Sequence, residues 1–149
     1  DTVHGYVHDM GAAMQDGVGG HAGLFSNAND VAKLMQMYLQ EGVYGRKRYF
    51  STDTFKTFNT CHYCDQENRR GIGFDKPQLE DEGPTCGCLS MTSFGHSGFT
   101  GTYAWADPEE EIVYVFLANR TYPESGANRL LKENIRTEIQ RLIYESIIE

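Results

Sequence analysis

The chain is short of positive charge: 13 lysines and arginines face 21 aspartates and glutamates, for a formal net charge of −8. That balance leaves no electrostatic footprint for a phosphate backbone or an anionic bilayer, so neither nucleic acid nor a membrane surface is an expected partner. No run approaches the ~18 apolar residues that a membrane-crossing helix needs, so no membrane span is expected. No unit recurs at a spacing of about 20–50 residues, which leaves out repeat architectures. The first residue is Asp1 and no charged-then-apolar leader precedes it, so the chain reads as a mature product or an excised piece. What is present suffices for one domain: 149 residues at 40% hydrophobic content can build a single core, and a second full domain is not expected.

Residues 1–26 are Gly-rich and carry His4, His8 and His21, a pattern that predicts a loop with positive φ angles or close backbone approaches. His8-Asp9 offers a base with an orienting carboxylate, and His4 with His8 offers two metal ligands. The alternative is polar loop groups that satisfy backbone donors and acceptors, and no third ligand sits at a diagnostic spacing. Asn27 to Glu41 predicts a helix, because Val31, Leu34, Met35, Tyr38 and Leu39 share one face, Asn27 and Asp30 form an N-cap pair, and Gly42 ends the run. A shorter helix follows Ser51, with Phe55 and Phe58 on its buried side. From Thr60 to Leu89 periodicity fades, apart from a strand candidate at Gly71-Ile72-Gly73-Phe74.

The stretch Ser93 to Asp107 reads as a strand whose first residues, glycines around a histidine, meet a ligand. Asp107-Pro108-Glu109-Glu110 is a hairpin turn, and Glu111 to Asn119 is a nearly all-apolar strand expected to be buried on both faces. A helix from about Gly126 closes the chain, with Leu131, Ile135, Ile139, Leu142, Ile143 and Ile147 as the stripe expected to lie on the sheet. The architecture is therefore α+β: an antiparallel sheet with a C-terminal helix packed on it and a helical and loop region before it.

Ser97 lacks the context of a nucleophile elbow, since Gly95-His96-Ser97-Gly98-Phe99 has no second glycine at the position the motif demands. The strand instead offers an edge. Gly98 removes a side chain where a substrate could lie against the backbone, the Phe99 N–H can point at a developing oxyanion, and His96 can donate to a carboxylate or assist proton transfer.

Gly95-His96-Ser97-Gly98-Phe99-Thr100-Gly101-Thr102, the Ala-Trp-Ala-Asp-Pro hairpin and Val115 to Arg120 resemble the third signature region and last two strands of the serine β-lactamase and penicillin-binding-protein superfamily. The likeness is to its class-C-like esterase branch, where Lys-Thr-Gly becomes His-x-Gly. Val7-His8-Asp9, Gly19 to Ser26 with the helix start Asn29-Asp30-Val31-Ala32, and Arg70 to Asp75 resemble the segments before that motif, so the resemblance covers nearly the whole chain. It implies a partial β-lactamase/transpeptidase-like fold that needs no cofactor. His96, Ser97 and Gly98 would line the cleft, the Phe99 amide would be one oxyanion donor, and Gly20 and His21 would lie near the substrate.

The superfamily draws its nucleophile and base from Ser-x-x-Lys, and its second motif is Tyr-x-Asn or Ser-x-Asn. Neither occurs here. Residues 1–149 are thus expected to be the C-terminal part of one β-lactamase-like domain whose N-terminal catalytic half is absent. That missing half would be its partner, a small-molecule or peptidoglycan-like compound its substrate, and the periplasm or cell envelope its location. The wording Val-His-Asp, Gly-His-Ala-Gly-Leu-Phe-Ser and Arg-Arg-Gly-Ile-Gly-Phe-Asp-Lys-Pro further resembles such domains fused behind family-3 glycoside hydrolases, the β-N-acetylglucosaminidases of Bacteroides-like bacteria. Two alternatives stand beside this reading: a non-catalytic module that holds a cell-wall fragment, and a zinc-stabilised interaction domain.

The four cysteines, Cys61-x-x-Cys64 and Cys86-x-Cys88, match the ligand count of a structural tetrahedral zinc site. The envelope location implied by the resemblance favours disulfides instead, with one cysteine of each pair bridging to the other. Four free thiols are the third possibility.

Overall fold

The computed structural model describes residues 3–78, 83–126 and 128–147. The acidic stretch 79–82 between the two cysteine pairs lies outside the described residues. In chain order the elements are α1 (Met10–Ala13), α2 (Ala28–Leu39), β1 (Val43–Tyr44), β2 (Lys47–Arg48), α3 (Thr52–Asn59), β3 (Phe94–Ser97), β4 (Tyr103–Asp107), β5 (Ile112–Phe116), α4 (Arg129–Lys132) and α5 (Ile135–Glu145). Strands β3, β4 and β5 form an antiparallel sheet in that order, and β1 pairs with β2 as a separate small hairpin.

The front helices form where the sequence places them. Asn27 caps α2 by accepting the Asp30 N–H at 3.1 Å, and Ser51 caps α3 by accepting the Thr54 N–H at 3.1 Å. Met35 and Phe55 are buried against Phe94 and Ala106, with Val31, Tyr38 and Leu39 packed around them. The faces are narrower than the apolar spacing predicts, since Leu34 and Phe58 both remain exposed. Gly71 to Phe74 is not a strand: the Gly71 N–H bonds the Phe74 carbonyl at 3.0 Å and closes a turn. Its neighbour Asp75 takes the edge position instead, exchanging backbone hydrogen bonds with Gly95 at 2.8 and 3.1 Å.

Strand β4 is central, and its alternation separates two cores. Ala104 and Ala106 share the α2 and α3 side with Phe94 and Val113. Tyr103 and Trp105 share the opposite side with Tyr114, Leu89, Phe116 and Ile143 of α5. Gly95 faces Trp105 across the β3–β4 pair, and a Cβ at Gly95 would collide with the Trp105 indole and the Ala104 carbonyl. The glycine is what lets the indole lie over the strand.

Two expectations about the C-terminal part need correction. Strand β5 is half-covered rather than buried on both faces, with only Tyr114 fully inside. The terminal helix is split by Asn134, which sits at φ 50°, and α5 turns a partly polar face to the sheet. Gln140 is 1% exposed, whereas Leu131, Ile139, Leu142 and Ile147 of the expected stripe are exposed. The reason is the hydrogen bonding that this face satisfies. Gln140 Oε1 accepts from Tyr103 Oη and from the Cys86 N–H, both at 3.1 Å. Tyr144 Oη donates to Asp107 Oδ2 at 2.8 Å, and Tyr114 Oη donates to the Arg136 carbonyl at 3.2 Å.

Replacing Gly95 with alanine forces Trp105 off the strand and is expected to lower stability by about 1–3 kcal/mol, the usual cost of overpacking, read from urea midpoints. Burial raises the Asp107 carboxyl, but hydrogen bonds from Ser90, Tyr144 and the Glu109 N–H outweigh it and hold the group below the ordinary carboxylate range. Its stabilising contribution is therefore complete above the unfolded value near 3.9 and is lost as pH falls through the lower folded value. Unfolding midpoints measured from neutral to strongly acidic pH should fall less steeply at the acid end for Asp107→Asn than for the unaltered chain.

Candidate active-site edge

The outer side of β3 carries the residues of interest. His96 shares the α2 face of β3 with Phe94 but projects into solvent beyond the apolar core. His96 Nδ1 lies 2.8 Å from the Ser97 carbonyl oxygen and Nε2 lies 3.4 Å from Arg70 Nη1. Arg70 Nε is 3.2 Å, and Arg69 Nη1 3.6 Å, from the buried Asp75 Oδ1. That oxygen has no aligned hydrogen-bond donor, so the contact is a charge pairing and not a hydrogen bond.

The strand ends in a tight turn, where the Gly98 N–H bonds the Thr102 carbonyl at 2.8 Å and the Gly101 N–H bonds the Gly98 carbonyl at 3.0 Å. A Cβ at Gly98 would meet the Thr102 Oγ1, so a larger residue there needs that hydroxyl to turn away, while the backbone around it leaves ordinary contact distances. Among the described residues the Phe99 amide has no hydrogen-bond partner. The exposed Phe99 ring lies 4.2 Å from the Arg120 guanidinium carbon and stacks with His8 at 5.4 Å.

That His8 contact joins the Gly-rich loop to the strand end. It also separates His8 from Asp9, whose partner is His21: His21 Nε2 lies 2.8 Å from Asp9 Oδ1. The same Oδ1 accepts the Ala12 N–H at 2.8 Å as the N-cap of α1. The Ala12 N–H, and after it His21, hold the Asp9 carboxyl below its ordinary value. The loop groups thus satisfy one another and the backbone, and His8-Asp9 is not a dyad. His4 and His8 gather no further ligand, and no cluster of metal-holding side chains exists among the described residues.

Behind the edge, Lys76 donates to Asn59 Oδ1 at 2.9 Å and to the Thr92 carbonyl at 3.0 Å, tying α3 to the segment that enters β3. Burial pushes its amine down to about 8. Among the described residues, one depression of about 470 Å³ lies beside α2 and β5 and another of about 280 Å³ beside α3 and the β4–β5 turn. Neither is lined by His96, Ser97, Gly98, Phe99, Gly20 or His21.

The cysteines correct two expectations at once. Cys61 is bonded to Cys64 and Cys86 to Cys88, so each bridge lies within a pair and none runs between pairs. All four sulfurs are consumed, which leaves no thiolates for a zinc ion and no free thiols.

An antiparallel sheet between helices, with a His-x-Gly edge strand, marks a β-lactamase-like domain. The chain belongs to the β-lactamase family, whose model matches residues 2–135. It is 39% identical over 123 residues to a protein of Escherichia coli K12 provisionally named a D-alanyl-D-alanine carboxypeptidase, covering 81% of this chain and 28% of that protein. It is 37% identical over 124 residues to a like-named protein of Salmonella enteritidis PT4, covering 82% of this chain and 28% of the relative. The chain thus spans little more than a quarter of the curated relatives it matches. Serine β-lactamase-like proteins need no cofactor.

Sequence reasoning quoted Arg70 and Asp75 only as part of a motif and missed that they reach His96 and Gly95. An arginine directly before a Gly-x-Gly-Phe turn was the available signal. It gives no direction to the side chain. Tryptic digestion without reduction should release Cys61 and Cys64 on one peptide and Cys86 and Cys88 on another, each lighter by two hydrogens. A single peptide pair joined across the Arg69 and Arg70 cleavage sites would refute this pairing.

Proposed function

We propose that this chain is the C-terminal part of a β-lactamase-like serine hydrolase domain, and that its β3 edge is one wall of a cleft for peptidoglycan-related amides or esters. The observation that carries the reading is the unpartnered Phe99 amide at the end of an exposed His-x-Gly edge, in a chain that belongs to this family. In the proposed cleft His96, Ser97 and Gly98 line the wall. The Phe99 N–H is one oxyanion donor, a role for which a fixed backbone donor with no competing acceptor is suited. Gly20 and His21 belong to the loop that approaches the same cleft, and the His8–Phe99 stack supports that approach.

The nucleophile and its base lie outside these residues in this reading, because neither Ser-x-x-Lys nor Tyr-x-Asn nor Ser-x-Asn occurs in the chain. The missing N-terminal part of the domain supplies them and faces the open side of β3. The names of the relatives support a substrate ending in D-alanyl-D-alanine and a place in the cell envelope, the periplasm in a Gram-negative cell. We further propose that the parent carries a family-3 glycoside hydrolase ahead of this domain. Any sugar hydrolysis would then belong to that domain and to none of the residues described here. The lack of both catalytic motifs also favours a second reading, a non-catalytic module that holds a cell-wall fragment.

The chain alone is expected to form no covalent adduct with a fluorescent penicillin and to hydrolyse a p-nitrophenyl ester no faster than buffer, while the intact protein does both. Labelling of the isolated chain would overturn the assignment of the nucleophile. An intact protein with a degenerate Ser-x-x-Lys that retains ligand binding would select the binding module.

A further inference from the structure

We propose that Arg70 is a positioning residue for His96: its guanidinium holds the imidazole in the Nδ1-protonated tautomer and so keeps the Ser97 carbonyl covered. The argument is hydrogen-bond accounting. A carbonyl oxygen only accepts, so the 2.8 Å contact with Ser97 requires a proton on Nδ1. A guanidinium only donates, so the 3.4 Å contact with Arg70 Nη1 requires a lone pair on Nε2. Both partners select one tautomer. The other would set the Nδ1 lone pair against the Ser97 oxygen and an Nε2–H against an arginine N–H.

Arg70 is itself held from the strand it serves. Its Nε pairs with Asp75 Oδ1 at 3.2 Å, the Asp75 side chain is 3% exposed, and the Asp75 backbone is hydrogen-bonded to Gly95. The circuit leaves β3 at Gly95, passes through Asp75, Arg70 and His96, and returns to β3 at Ser97. Its consequence follows from the neighbouring amide. Ser97 is followed by Gly98 and Phe99, and an uncovered carbonyl beside an oxyanion donor would repel the charge that the donor attracts. Covering it with Nδ1–H removes that repulsion. His96 then has no proton to give a ligand, and its part is to complete the edge, not to shuttle protons. This consequence, though not the tautomer, rests on the Phe99 role proposed above.

Long-range nitrogen–proton correlation spectra of the protein labelled with 15N-histidine read the tautomer directly. The unaltered protein is expected to show His96 protonated on Nδ1, and an Nε2-protonated ring there would overturn the proposal without any variant. Arg70→Met, which keeps the stem and loses the donors, is expected to yield a mixture of tautomers, whereas Arg70→Lys retains the single form. An unchanged tautomer in R70M, with the near-ultraviolet signal of Trp105 intact, would also overturn it. In the intact protein, R70M should lower kcat for a p-nitrophenyl ester about tenfold, an order below the loss of an oxyanion donor, with KM within about twofold and R70K restoring most of the rate. Inertness of every form would count against the hydrolase reading, and the tautomer would still decide the role of Arg70.

Discussion

The Trp105 indole lies over Gly95, and much of the chain is arranged to keep it there. Its Nε1–H donates to the buried Ser93 hydroxyl at 3.0 Å, and its ring stacks on Tyr103 at 5.6 Å. A large side chain at Gly95 would lift β3 from β4, so the absence of a Cβ is what lets the edge strand lie flat. With Gly95 flat, its outward N–H and carbonyl are presented at the height of Asp75, and the residue that ends the 71–74 turn becomes a one-residue cover for the edge. Everything proposed for the outer side of β3 follows from that arrangement on its inner side.

The two faces of β4 solve the burial problem differently. Toward α2 and α3 the core is apolar and aromatic: Phe55, Phe74 and Phe94 meet edge to face or tilted at about 5 Å. Toward α5 it is wide-bodied and polar-tipped. Tyr103, Tyr114, Tyr144, Gln140 and Asp107 bury their bodies and pair their polar ends with one another or with backbone. Arg136 adds a guanidinium above Tyr103 and a bond to the Thr102 carbonyl at 3.3 Å. A polar interface of this kind fixes the register of α5 more tightly than aliphatic packing would, because each hydroxyl has one partner to reach and a one-residue rotation would strand several at once.

This contrast explains which parts of the fold were legible in the sequence. Helices α2 and α3 and the β4–β5 hairpin follow from capping side chains, apolar spacing and turn chemistry, all of which are local. The register of α5 does not, since counting apolar residues favours Ile139 and Leu142, while the buried face is chosen by Gln140 and Tyr144. The pairing of the cysteines was open for a different reason. Two-residue and three-residue separations allow local bridges that the expectation of a cross-link between pairs passed over.

At the candidate site the sequence located the edge but not the partners that set its chemistry. His96-Ser97-Gly98 could be quoted as a motif, and the structure sets His96 exposed and Ser97 half-buried at the end of β3, with Gly98 in the turn that follows. The motif alone leaves the imidazole with two free nitrogens and several roles. Arg70, twenty-six residues earlier, and the adjacent Ser97 carbonyl between them take both. A histidine acts through whichever nitrogen its neighbours leave unoccupied, so a role carried from one family member to another by the letters His-x-Gly is underdetermined until those neighbours are known. In this chain the neighbour on Nε2 is a cation anchored to a buried carboxylate. Among groups that only donate, the imidazole is confined to accepting there, and the edge owes its character as much to Asp75 and Arg70 as to the histidine they surround.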